Sequence, residues 1–140
     1  MAKITLSNNQ YFESSFDQEL KLYELIWHKA SEAIEDDEYK ALMNADRDKV
    51  LQECDKLNYI VINIKERMDT MSPELQEWST AAISSQIFSK YNVLKIAVIA
   101  SKDFYTQVSV EQAIEEDNIN EGVVRYFEDE QQATEWILGL

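Results

Sequence analysis

The residues with most chemical promise cluster after two apolar runs. Lys65 and Arg67 follow Tyr59–Ile64, and Ser101 and Lys102 follow Leu94–Ala100. If both runs are parallel strands, these four residues line the carboxyl ends of the sheet, where ligands of open α/β folds gather. Three of only thirteen basic residues stand there. The helix start at Ser72-Pro73-Glu74 follows closely, and its free backbone N–H groups suit an anion. The chemistry this predicts is binding of a small anionic or lipid-like molecule by Lys65, Arg67, Ser101 and Lys102. Ordinary solvated loop residues give the same pattern.

Catalytic groupings are harder to write. His28 is the sole imidazole and ends a predicted strand beside Trp27. A Ser-His-Asp arrangement would have to use it, and no serine stands on a recognisable nucleophile turn. Cys54 lies on an apolar helix face between Glu53 and Asp55, which oppose a thiolate, so it reads as a small buried hydrophobe. Glu35-Asp36-Asp37-Glu38 is a contiguous acidic run at a helix start, whereas glycosidase-type chemistry needs two carboxylates held across a cleft. One Cys and one His exclude a zinc site built from those residues alone. Gly122 and Gly139, the only glycines, stand seventeen residues apart and leave none for a phosphate-cradling loop. Aligning Gly122 with the glycine of a calcium-binding EF-hand puts Ile119 and Arg125 at ligand positions, which excludes that site. No cofactor, no metal and no enzymatic activity are therefore expected.

Charge narrows the partners. Thirteen basic against twenty-seven acidic residues give −14 on 140 residues. From Asp103 onward, ten acids face Arg125 alone, which is −9 of that total. Such a surface repels nucleic acid and anionic membranes. It favours either simple solubility or a protein partner with a basic surface. The apolar runs are far short of the roughly 20 residues that span a bilayer, so no integral membrane segment is expected. The first residues lack a signal peptide's apolar core. With one cysteine, a reducing, cytoplasmic setting is the default.

The elements that must position these residues read as a single domain over 1–140. Hydrophobic content of 45% is too high for a disordered chain. Tyr11–Phe16 and Leu20–His28 form a β-hairpin around Asp17-Gln18-Glu19, with Tyr23, Leu25 and Trp27 on one face of the second strand. That strand is apolar on both faces, which places it inside the sheet. A helix runs from Asp36 to about Cys54 with Tyr39, Leu42, Met43, Val50 and Cys54 along a stripe. Tyr59–Ile64 and Leu94–Ala100 are buried strands. Ser72-Pro73-Glu74 caps a helix carrying Leu75, Trp78, Ala82, Ile83, Ile87 and Phe88. Val108–Asp117 is a helix, Val123–Phe127 a last strand and Asp129–Leu138 a last helix stopped by Gly139. The fold class is α/β: an N-terminal β-hairpin followed by βαβαβα units, with a mainly parallel mixed sheet of about five strands.

The hairpin ends in Leu25-Ile26-Trp27, the strand Ile60–Ile64 leads to an Asp69-containing loop and a Pro73-started helix, and Lys95-Ile96-Ala97-Val98-Ile99 is a further strand. The chain then runs through Tyr126-Phe127-Glu128-Asp129, followed by Ala133 and Trp136-Ile137-Leu138. These runs, the last above all, resemble the SpoIIAA-like family, relatives of the STAS domains named for sulphate transporters and anti-sigma antagonists. The resemblance spans about Tyr11 to the C-terminus. It implies a superhelical α/β domain, usually a stand-alone bacterial protein, in some cases a homodimer, with a regulatory role through protein–protein contact. Anti-sigma antagonists of this kind carry a phosphorylatable serine in an Asp-Ser-Gly/Ala-type loop. Here that loop reads Lys65-Glu66-Arg67-Met68-Asp69-Thr70-Met71-Ser72-Pro73, without the motif's neighbours. Ser72 and Thr70 are its hydroxyls, and helix capping accounts for Ser72. Three expectations result: a regulatory module contacting a protein, a binder of a small anionic or lipid-like ligand at the strand ends, and a phosphorylation-switched antagonist.

Overall fold

The structure is a computed structural model that describes residues 3–117 and 122–139. Residues 118–121, which carry Ile119 and Glu121 of the acidic stretch, lie outside the described residues. Among the described residues, six strands form one mixed sheet in the order in which they occur: β1 (Lys3–Asn8), β2 (Phe12–Asp17), β3 (Leu22–Trp27), β4 (Tyr59–Asn63), β5 (Lys95–Ile99) and β6 (Val124–Phe127). β1, β2 and β3 form an antiparallel meander, and β3 to β6 run parallel. The expected α/β class and the inner position of the Leu22–Trp27 strand are found. The expected count of about five strands is corrected to six. The added strand is the edge strand β1, which buries Leu6 alone, so its sequence Lys-Ile-Thr-Leu-Ser-Asn carries little apolar signal.

The hairpin between β2 and β3 turns on Asp17, whose carboxylate accepts from the backbone N–H groups of Glu19 and Leu20, both at 3.0 Å. Lys21 completes the turn with φ of +57°.

Helix α1 (Asp36–Glu53) joins β3 to β4, and α4 (Phe104–Glu116) joins β5 to β6. Between β4 and β5 a single helical rod is made of α2 (Pro73–Ser79), a π-turn (Thr80–Ser84) and α3 (Ser85–Lys90). Right-handed crossovers between strands laid down in sequential order put every connecting helix on one face. The main core forms there, between Tyr23, Leu25 and Trp27 of β3, Ile60 of β4 and the helices. The opposite face is covered by α5 (Glu130–Leu138), where Ala133 and Ile137 meet Val61, Ala97 and Ile99. Two helix starts match expectation: the Ser72 hydroxyl accepts from the Leu75 N–H at 3.1 Å, and the Asp129 carboxylate from the Gln132 N–H at 2.8 Å. Gly139 stops α5 with φ of +74°, a conformation glycine adopts without a Cβ penalty.

Helix α4 begins four residues before its expected start at Val108. Asp103 caps it by accepting from the Thr106 N–H (2.9 Å) and hydroxyl (2.8 Å). Its first turn exposes Phe104 and Tyr105, so apolar periodicity there does not report the helix.

Candidate functional site

A cavity of about 150 Å³ lies between the sheet and the connecting helices. Its floor is Leu25, Ile60, Ile62 and Ile96, and its roof is Met43 of α1, Ile83 of the π-turn, Ile87 of α3 and Val110 and Ala113 of α4. Ile62 sits on the inner face of a central strand, flanked by β3 and β5, yet is only partly buried. The opening above it is the reason. Protein interiors are packed to crystal-like density, so a void of this size with apolar walls is the candidate site.

The π-turn makes the roof. Leu75, Ser79, Ile83 and Ile87 are spaced by four, and each step of four advances about 40° around an α-helix. A wider turn takes up an additional residue and swings Ile83 and Ile87 back over the sheet. Widening also loosens the backbone ladder, and Arg47 of α1 answers this by donating to the Ala82 carbonyl at 2.8 Å. The same guanidinium holds Asn44 (2.9 Å) and Asp48 (2.9 Å). Thr80 and Ser84 donate to the Asp117 carboxylate at 2.8 and 3.0 Å, tying the π-turn to the end of α4. Single π-turns of this kind are concentrated at functional sites.

At the carboxyl ends of the strands the cavity is closed by Arg67. Arg67 is 4% exposed and turns inward from the β4 loop. Its Nε and Nη2 donate to the two oxygens of Asp69 at 2.7 and 2.9 Å. Its guanidinium carbon lies 4.1 Å from the Trp27 ring centre and 5.8 Å from that of Tyr39. Burial by itself lowers the affinity of Arg67 for its proton, but Asp69 and the Tyr39 hydroxyl outweigh that and push it up, so Arg67 stays charged. Rings continue from this cation: Trp27 stacks on Tyr39 at 5.9 Å, and Trp78 meets Tyr39 edge-on at 6.1 Å.

Asp46 is the second polar group in the wall. It sits in mid-α1, 2% exposed, and accepts three hydroxyls from three strands. Ser7 of β1 donates at 2.6 Å and Ser14 of β2 at 2.5 Å to one oxygen, and Tyr23 of β3 donates to the other. Burial, followed by the Asp46 charge, raises the Tyr23 phenol well above its ordinary value.

The four residues expected to bind at the strand ends are divided by the structure. Their two loops are knitted together: Ser101 donates its hydroxyl to the Arg67 carbonyl at 3.0 Å, and the Lys102 N–H reaches the Lys65 carbonyl at 3.3 Å. The side chain of Lys102 is exposed and pairs with Glu66 at 3.0 Å, while Lys65 is half-buried. Arg67 leaves that rim for the interior and is the one member that lines the cavity. Thr70 is exposed, and Ser72 is engaged as the cap of α2. His28 is half-buried and gives its backbone N–H to Tyr11 at 2.8 Å. Among the described residues no group of three or more His, Cys, Asp or Glu is placed to hold a metal ion, and no helix is long and apolar enough to cross a membrane.

Sequence reasoning missed Asp46, although a signal exists. It lies three residues after Met43 and four before Val50, on the apolar stripe of α1, where a carboxylate needs a reason to be. Comparisons with family models, with curated proteins and with solved structures return no match.

Proposed function

We propose that this chain is a non-enzymatic binding module of SpoIIAA-like type whose interior pocket takes a small molecule with an apolar body. The observation that carries this reading is the cavity over Ile62, roofed by a π-turn that Arg47 and Asp117 hold in its widened form. Empty, such a space forfeits the contacts its lining would otherwise make. A cavity near 150 Å³ with apolar walls accommodates a body the size of benzene. Toluene titrated into methyl-labelled protein should shift the Ile62, Ile83 and Ile87 methyl resonances saturably and leave Ile4 unmoved. Unmoved pocket methyls at saturating toluene would end this reading.

A second reading has its own observation. Phe104 and Tyr105 are each 71% exposed and pack edge to face at 5.5 Å, at the start of the acidic C-terminal stretch. Aromatic anchors ringed by charge suit a cytoplasmic protein partner with a basic surface. A partner recovered by pull-down should be lost on Phe104→Ala/Tyr105→Ala and weaken with salt. Retention by that variant would oppose it.

A further inference from the structure

Asp46 is a buried carboxylate in the wall of an apolar cavity, and every group that holds it is neutral. Ser7, Ser14 and Tyr23 donate hydroxyls to it, and it forms no ion pair among the described residues. The two cations in the same wall are committed elsewhere. Arg67 is closed by the two oxygens of Asp69 and lies on Trp27. Arg47 is spent on Asn44, Asp48 and the Ala82 carbonyl. Asp117, a further carboxylate of the lining, accepts from Thr80 and Ser84. Asp46 therefore places in the wall a carboxylate that neither arginine pairs with, inside a protein of net charge −14.

A buried carboxylate with no cation is costly, and a cation brought to it relieves the cost. A carboxylate ligand faces the reverse: Asp46 repels it, and Arg67 already forks onto both oxygens of Asp69. Oδ2 of Asp46 accepts Tyr23 alone, and a carboxylate oxygen has room for a second donor.

Resting on the pocket reading above, we infer that the ligand is a small amine: an apolar body of about ring size with a protonated amino head that donates to Asp46. Asp46 is then a specificity-determining residue, and the ligand's charge is recognised in the interior and not at the lysine-bearing rim.

The test uses four probes with one ring and different heads: benzylamine, benzyl alcohol, toluene and benzoate, titrated by calorimetry and by NMR at neutral pH. The expected order is benzylamine tightest, ahead of toluene by about tenfold or more, as a charge-assisted hydrogen bond supplies, with benzoate weakest. Benzylamine should shift the Tyr23 and Ser14 amides. Asp46→Asn keeps the shape and an acceptor, and should abolish the preference for benzylamine while toluene binds as before. The unmodified protein decides the matter even if that variant fails to fold. Toluene binding with benzylamine no tighter overturns the amine and leaves the pocket standing. Tightest binding by benzoate overturns it in favour of Arg67 as the anchor. Benzylamine shifts confined to surface acids overturn it as well. Binding of none of the four ends the pocket reading and this inference with it.

Discussion

The Arg67 guanidinium lies over the Trp27 ring, 4.1 Å from its centre, while two of its nitrogens grip Asp69. A cation drawn from a surface loop thereby becomes the lid of an apolar cavity. Arginine suits this position because its planar group stacks and forks at once, which a lysine ammonium cannot do.

Arg67→Lys should therefore destabilise the fold, although it keeps the charge. Losing the stack and the bidentate pair in a buried setting should cost about 2–4 kcal/mol, read as a lower denaturant midpoint at unchanged slope. Asp69→Asn should cost a similar amount by leaving Arg67 buried and unpaired. A loss below about 0.5 kcal/mol for both would mean that the pair is incidental.

The Asp46 clamp ties α1 to three strands, and its members differ in what they leave behind. Tyr23→Phe removes one hydrogen bond to a charge, worth about 1.5–3 kcal/mol. Asp46→Ala strands two buried hydroxyls, of Ser14 and Tyr23, and should cost more than Tyr23→Phe. Urea unfolding of the two variants checks the order, and a reversed order would contradict the clamp.

Much of this architecture is legible in the amino acids. The β-branched run Tyr59–Ile64, the acid-started α1 and the Ser72-Pro73 cap each carry a local reason that tertiary structure has no cause to override. What escapes reading is long-range. β1 is too polar to announce itself and is a strand because β2 offers it an edge. Arg67 reads as a solvated rim cation until Trp27, forty residues earlier in the chain, is placed beneath it. Asp46 is legible in part, since a carboxylate on the stripe of Tyr39, Met43 and Val50 demands partners, but nothing in spacing reveals that Ser7, Ser14 and Tyr23 supply them. The cavity itself has no sequence signature, because it is the space left between four helical segments and a sheet.

Alkaline pH should unfold the protein in a definite window. Burial, then Asp55, pushes the Cys54 thiol up to about 12, and burial, then Cys54, pushes the Tyr91 phenol up to about 12. The Tyr91 hydroxyl donates to the Cys54 carbonyl at 2.6 Å, so the two groups share one pocket. Both groups keep their protons longer in the folded chain than in the unfolded one. The Cys54 contribution is complete below the ordinary thiol value of about 8.5 and the Tyr91 contribution below the ordinary phenol value of about 10; each is lost as pH rises from there toward 12, at a slope near 1.4 kcal/mol per pH unit. Denaturant titrations from pH 7 to 11 should show a plateau and then a fall. Stability rising over pH 9–11 would contradict the burial of both groups.

Ser72 caps α2 through its hydroxyl, so Ser72→Ala should lower stability by about 1 kcal/mol and Ser72→Asp, itself a good cap, should leave it nearly unchanged. Thermal denaturation distinguishes them. Equal losses would show that the hydroxyl does something other than cap.

The central claim is that the space over Ile62 receives an apolar guest. Diffraction from crystals of the protein held under xenon tests it most directly, since xenon occupies apolar cavities of this size. The account predicts an anomalous peak enclosed by Ile62, Ile83 and Ala113. Side chains of those residues closed together, with no peak between them, would contradict it.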